Sequence, residues 1–191
     1  NGKPMLDHVL ERMVMAGFDR VIVNVCHFHE LLIRHLEKNA PPGVTIEISD
    51  ESDGLLDTGG AIWKAQWFLD GDEPFLVHNT DVISNVNLRE LMRFHNHAAS
   101  LATLAVSERK STRYLLMDDD LILRGWEDTS TGERKPGTTL PENLRKLSFS
   151  GIHVIDPEIF RLIARQGRFT IIDVYLELCG AFPLQGFQHD T

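Results

Sequence analysis

The sequence predicts an α/β protein of three layers, with helices on both faces of a mixed, mainly parallel sheet. Three observations lead there. Segments of helical period alternate with short β-branched runs through the first hundred residues, and such alternation builds βαβ units on a sheet covered on both sides. The 191 residues, 42% apolar and 25% charged, suit one globular domain with a single core. No linker-like composition separates the halves, and neither an internal repeat nor a low-complexity segment is present.

Met5, Leu6, Val9, Leu10, Met13 and Val14 recur at helical spacing, and RVIVNVC follows as a buried strand. HELLIRHLEKN reads as a helix ended by APPGV, VTIEIS as a strand, GGAIWKAQWFL as a helix, EPFLVHN as a strand and NLRELMRFHNH as a helix. Trp63 and Trp67 stand four apart on the third of these helices, which predicts a pair on its core face. After Ser100 the rhythm changes. LATLAVS, RYLLM, LILRGW and LRKLSFS are strand-like, joined by turns that include MDDDL, and they predict an antiparallel extension of the same sheet. DPEIFRLIARQG and TIIDVYLELCG read as closing helices. A doubly wound sheet normally opens on a strand whose following loop cradles phosphate, so this order begins one strand late.

Composition excludes several function classes. With 28 acidic against 19 basic residues, a net charge of −9 and no basic stripe, nucleic acid is not an expected partner. No apolar run approaches the roughly 20 residues that span a bilayer, and NGKPMLDH has no signal-like apolar core, so a soluble, cytoplasmic protein with no membrane partner is expected. Cys26 and Cys179 lie far apart in apolar contexts and read as reduced core thiols.

Ligands of open α/β sheets bind beyond the carboxyl ends of the strands, and two such ends carry chemistry. In DGLLDTGGAIWKA, Gly59 and Gly60 stand in what reads as the first turn of a helix, where glycine costs roughly 1 kcal/mol against alanine. Bare backbone there lets a flat or charged ligand approach and offers unpaired N–H groups at the positive helix end. The alternative is structural, one glycine serving a tight turn and the other close helix packing. In FLVHNTDVISN, an apolar strand ends in polar residues and Asp81, a carboxylate placed where magnesium is commonly shared with substrate phosphates; a turn or capping aspartate is the alternative. His27 and His29 have a spacing that can bind metal but lack an evident third ligand, so capping is expected of them. Lys135 reads as an exposed hairpin lysine and MDDDL as a solvated turn.

Together, in this order and separation, the motifs resemble a family. NGKPMLDHVLERMVMAGFDRVIVNV is similar to the segment after the signature loop of sugar-1-phosphate nucleotidyltransferases; LDTGGAIWKA, FLVHNTDVISNVNLREL and LSFSGIHVIDPEIF match three further blocks of that family in register. The likeness covers nearly the whole chain and looks nearest to N-acetylmuramate 1-phosphate uridylyltransferases and mannose-1-phosphate guanylyltransferase-like proteins. It implies a Rossmann-like, GT-A-like nucleotidyltransferase fold and the reaction of an NTP with a sugar 1-phosphate to give an NDP-sugar and pyrophosphate. It implies magnesium as cofactor, held by Asp81, which would also be the catalytic residue. It further implies nucleotide contacts from Thr58, Gly59, Gly60 and Asn79, largely through backbone, and a sugar side at Ser150 and Gly151. Relatives often carry a lysine before the sugar-binding strand, where Lys135 stands.

Three departures accompany the resemblance. The family's N-terminal strand and basic loop, roughly LAAGxGtRlxPlTxxxPKpl, would end just where Asn1 begins, so residues 1–191 are expected to be one nucleotidyltransferase domain without that strand, that loop and the family's C-terminal end. A protein limited to them is expected to be catalytically silent, because the loop supplies the cationic clamp on pyrophosphate. Thr80 stands where the family usually has glycine. Asp190 is expected to lie upstream of the C-terminal motif that brings a second metal carboxylate. Base, sugar and oligomeric state stay open, as do two other functions: a module that holds a nucleotide sugar without making one, and a cytidylyltransferase acting on a phospho-alcohol such as phosphocholine.

Overall fold

Leu6, Val9, Leu10 and Met13 form the buried stripe of α1 (Met5–Ala16), and Gly17 ends the helix in the left-handed region at φ 100°. Glycine adopts that conformation without a Cβ penalty and so satisfies the last carbonyls of the helix. The computed structural model describes residues 2–189, which fall into two units, residues 2–71 with Ala164–Ile171, and residues 72–163 with 172–189.

The first unit continues through β1 (Arg20–Val25), α2 (His29–Asn39) and β2 (Thr45–Asp50). The two strands pair in parallel, from Arg20 opposite Thr45 to Val25 opposite Asp50, and Val21, Val23 and Val25 alternate into the interior, as a half-buried pleat requires. The helix expected at GGAIWKAQWFL begins earlier and breaks at Ala65, giving α3 (Asp57–Lys64) and α4 (Gln66–Leu69). That break removes the regular four-residue alignment of the tryptophans. Trp67 is 64% exposed and not a core residue, while Trp63 is half-buried.

The second unit holds β3 (Phe75–His78), α5 (Leu88–Ala98), β4 (Ala102–Ser107), β5 (Arg113–Met117), β6 (Leu123–Asp128), β7 (Glu133–Pro136), β8 (Arg145–Ile155), α6 (Ile159–Leu162), α7 (Ile171–Leu178) and β9 (Leu184–Gln188). Its seven-stranded sheet runs β7-β6-β5-β8-β4-β9, with β3 also paired to β8. The sheet is mixed, as expected, but only β4–β9 pair in parallel within it. β8 runs antiparallel to each of its neighbours β3, β4 and β5, and the hairpins β5–β6 and β6–β7 are antiparallel as well. The hairpins expected after Ser100 are present, and MDDDL is a closed turn: the Asp118 carboxylate accepts from the N–H groups of Asp120 and Ile122 and pairs with Arg124.

Two strands, β7 and β9, lie outside the sequence expectation. ERKP is a polar edge strand, and LQGFQ carries a central glycine, so both take strand geometry from their partners and not from local propensity. The helix expected at DPEIFRLIARQG is a single turn, α6, because Ile163 turns extended and the following residues pack within the first unit. Cys179 is buried, whereas Cys26 is only half-buried. Among the described residues no helix is long and apolar enough to cross a membrane.

The core of the second unit contains a titrating pair. His153 on β8 is 2% exposed, and its Nδ1 is hydrogen-bonded to the Tyr175 hydroxyl at 2.6 Å. Burial pushes the His153 pKa from 6.5 down to about 3 and raises that of Tyr175. The imidazole is therefore neutral in the fold, while an unfolded chain protonates it as pH falls through about 6.5. Stability is expected to decline between about pH 6.5 and pH 3, by up to about 1.4 kcal/mol per pH unit from this residue. Burial lowers the His95 pKa as well, adding in the same direction. Urea unfolding at pH 7 and pH 5 checks this: the double variant His153→Leu, Tyr175→Phe should show a shallower pH dependence, and an unchanged slope would exclude His153 as the source.

Candidate active site

In the first unit, the turn before α3 is organised by a residue that sequence reasoning passed over. Glu51 is 3% exposed; its Oε1 accepts from Asn24 Nδ2 at 2.8 Å and its Oε2 from the Leu56 N–H at 3.3 Å. Its own N–H donates to Val25 O at 2.7 Å. One carboxylate thus ties the end of β1 to the loop that delivers Asp57. Asp57 takes a left-handed φ of 61°, uncommon outside glycine, and its carboxylate accepts from the Thr58 N–H at 2.7 Å. A carboxylate shortly before a glycine-rich turn was the signal available in the sequence. Glu51→Ala should lower stability by about 1 kcal/mol, because it removes two hydrogen bonds that tie β1 to the loop before α3; equilibrium denaturation measures it.

The glycine pair differs from the sequence expectation. Both N–H groups are committed, Gly59 to Phe169 O at 2.9 Å and Gly60 to the same oxygen at 3.2 Å. Thr58 Oγ1 accepts from the Ile171 N–H at 3.1 Å. A Cβ on Gly59 would lie 2.5 Å from the Phe169 ring, and one on Gly60 would lie 2.3 Å from Gly167 O and 3.0 Å from Leu56 Cβ. Both glycines are buried, and the absence of side chains is required by the segment 167–171 packed on them. Tight packing is therefore what offsets the helix-propensity cost, and unpaired N–H groups are not offered there.

The second unit brings four of the predicted residues to one place. His78 pairs with Ile152 at the end of β3, and beyond it the Asn79 N–H donates to Gly151 O at 2.9 Å. Gly151 has φ 69° and sits where the β4–β8 register shifts between Leu104 and Val106. Its missing Cβ would lie 2.8 Å from Asn79 Nδ2 and 3.2 Å from Val82 Cγ2, so glycine here serves both a left-handed bulge and a close approach. Ser150 is 6% exposed, and its Oγ lies 2.8 Å from His189 Nε2. Asp81 follows two residues after Asn79 in an exposed turn. Thr80 is absent from the positive-φ residues among those described, so replacing the family's usual glycine introduces no left-handed strain at that position.

The remaining candidates resolve individually. Lys135 is more engaged than an inert hairpin lysine: its Nζ lies 3.3 Å from the Asp173 carboxylate, 3.6 Å from that of Glu133 and 5.4 Å from the Trp126 ring centroid. His27 and His29 do not cap α2, whose N-cap is Phe28, with no side-chain capping bond. No cluster of three or more potential metal ligands occurs among the described residues. Asp190 lies outside them. The exposed Asp81 carboxylate fits magnesium of the kind held by one or two carboxylates with the rest supplied by water and phosphate.

The family description "Nucleotidyl transferase" matches residues 1–166. N-acetylmuramate alpha-1-phosphate uridylyltransferase of Caulobacter vibrioides is 40% identical over 194 residues, covering 95% of this chain and 76% of that protein. Mannose-1-phosphate guanylyltransferase catalytic subunit beta of Xenopus tropicalis is 31% identical over 107 residues, 56% of this chain, and the match spans only 30% of that relative's length. The crystal structure of HddC from Yersinia pseudotuberculosis superposes with a TM-score of 0.75 at 19% identity, over 98% of this chain and 77% of that one; at that identity the likeness bears on the fold alone. A family match through residue 166, joined to 40% identity over most of a relative's length, establishes that this chain belongs to the nucleotidyl transferase family.

Proposed function

We propose that the protein transfers a nucleoside monophosphate from an NTP to a sugar 1-phosphate, giving an NDP-sugar and pyrophosphate. The observation that carries the reading is the junction of β3 with the β8 bulge, where Asn79 meets Gly151 at 2.9 Å and Asp81 follows in an exposed turn. The family match through both units, residues 1–166, supports treating them as one nucleotidyltransferase domain.

In this reading a phosphate oxygen of the sugar 1-phosphate attacks the α-phosphorus of the NTP. A new P–O bond forms, the bond from the α-phosphorus to its bridging oxygen breaks, and pyrophosphate leaves with that electron pair. Positioning and charge neutralisation supply the catalysis. Asp81 would hold magnesium, which when bound neutralises phosphate charge. Asn79 would meet the nucleotide, and the Ser150–Gly151 bulge would meet the sugar. Thr58, Gly59 and Gly60 would serve the nucleotide by shape, as a turn pinned by Phe169 O and Glu51.

Pyrophosphate release by the complete protein tests this, with UTP, GTP, CTP, dTTP and ATP each offered against N-acetylmuramate, mannose and glucose 1-phosphates. One pair with steady release supports the reading. Silence with every pair, together with binding of an intact NDP-sugar, would replace it with the non-catalytic module.

A further inference from the structure

We infer that His189 is a positioning residue for the sugar 1-phosphate, acting through Ser150; this rests on the reaction proposed above. His189 follows directly after β9, and its N–H donates to Val106 O at 3.0 Å, so its backbone is tied to β4. From that anchor its Nε2 reaches Ser150 Oγ at 2.8 Å. Ser150 is 94% buried by its 6% exposure, where a hydroxyl without a partner would be destabilising.

The position of this bond gives it consequence. It falls where the β4–β8 ladder is interrupted between Leu104 and Val106, so regular backbone pairing does not hold β8 to β4 there. Bulges re-aim side chains and are common beside active sites. The next residue, Gly151, is the one whose carbonyl takes the Asn79 N–H at 2.9 Å and whose bare Cα admits the Asn79 amide. A chain of contacts therefore runs from the end of β9, through His189 and Ser150, into the bulge and the turn that carries Asp81. Without His189 the Ser150 hydroxyl loses its partner, and the bulge loses its tie to β9.

Steady-state kinetics on the complete protein test this with Ser150→Ala, His189→Ala, His189→Gln and the double alanine variant. Both single alanine variants should raise KM for the sugar 1-phosphate by about fivefold to tenfold, on the order of one hydrogen bond. KM for the NTP and kcat should stay within about twofold, and the double variant should be no worse than either single one, because both act through one contact. His189→Gln keeps a side-chain amide able to donate or accept near the Nε2 position and should recover most of the loss. Equal losses for both substrates, multiplying single effects, or a glutamine variant no better than alanine would overturn the inference. If His189→Ala does not fold, Ser150→Ala, which removes one oxygen, and His189→Gln still decide. Wild-type turnover with an unchanged KM in His189→Ala would overturn the inference and leave the proposed reaction standing, whereas a wild-type protein silent with every substrate pair would overturn both.

Discussion

Asp81→Asn is expected to lower pyrophosphate release by the complete protein at least about a hundredfold, while its melting temperature stays within a few degrees of wild type. The side chain is exposed, and asparagine preserves its shape, so the change removes charge and almost nothing else. Exposed substitutions of this kind usually alter stability by less than about 0.5 kcal/mol. The half-saturating magnesium concentration should rise in parallel, since a neutral amide is a poor ligand for a hard cation. A folded variant with near wild-type turnover would remove Asp81 from the site.

Gly60→Val should destabilise the protein by about 3 kcal/mol or more, beyond the usual range for an overpacked core, which lowers the melting temperature by roughly ten degrees in a chain of this size. The obstacle is backbone: a Cβ would sit 2.3 Å from Gly167 O, and a carbonyl cannot rotate aside as a side chain can. Gly60→Ala should already show much of the loss, because the clash is with the first carbon. A glycine kept bare for a ligand predicts the opposite ranking, with weakened NTP binding and little loss of stability. A stable Gly60→Val variant with poor NTP affinity would restore that expectation.

These two positions mark how far the site was legible. Asp81 could be placed after β3 because an apolar strand followed by polar residues is a local pattern, and an exposed turn is where that pattern puts it. Gly59 and Gly60 were visible as an anomaly of propensity, but the partner that explains them, Phe169, lies more than a hundred residues away in sequence. Glu51 was one acidic residue among several in a polar loop until Asn24 and Leu56 closed on it. His189 was invisible as a partner of Ser150 because β9 itself had no strand-like period.

The sequence by itself determined the α/β class, the order of its well-patterned helices and strands, the hairpins after Ser100 and, through four motifs in register, the family. Those features follow from side-chain periodicity and turn chemistry, which act over a few residues. Only the tertiary structure decided that β8 pairs antiparallel with β3, β4 and β5, that ERKP and LQGFQ become strands, that the α6 segment stops after one turn, and that the glycine amides bind Phe169 O. For all but ERKP, which takes its strand geometry from the neighbouring β6 across a short turn, the deciding partner is distant along the chain. A weakly patterned segment takes its conformation from the hydrogen bonds and packing that such a partner supplies, and those exist only once the fold has brought the two together.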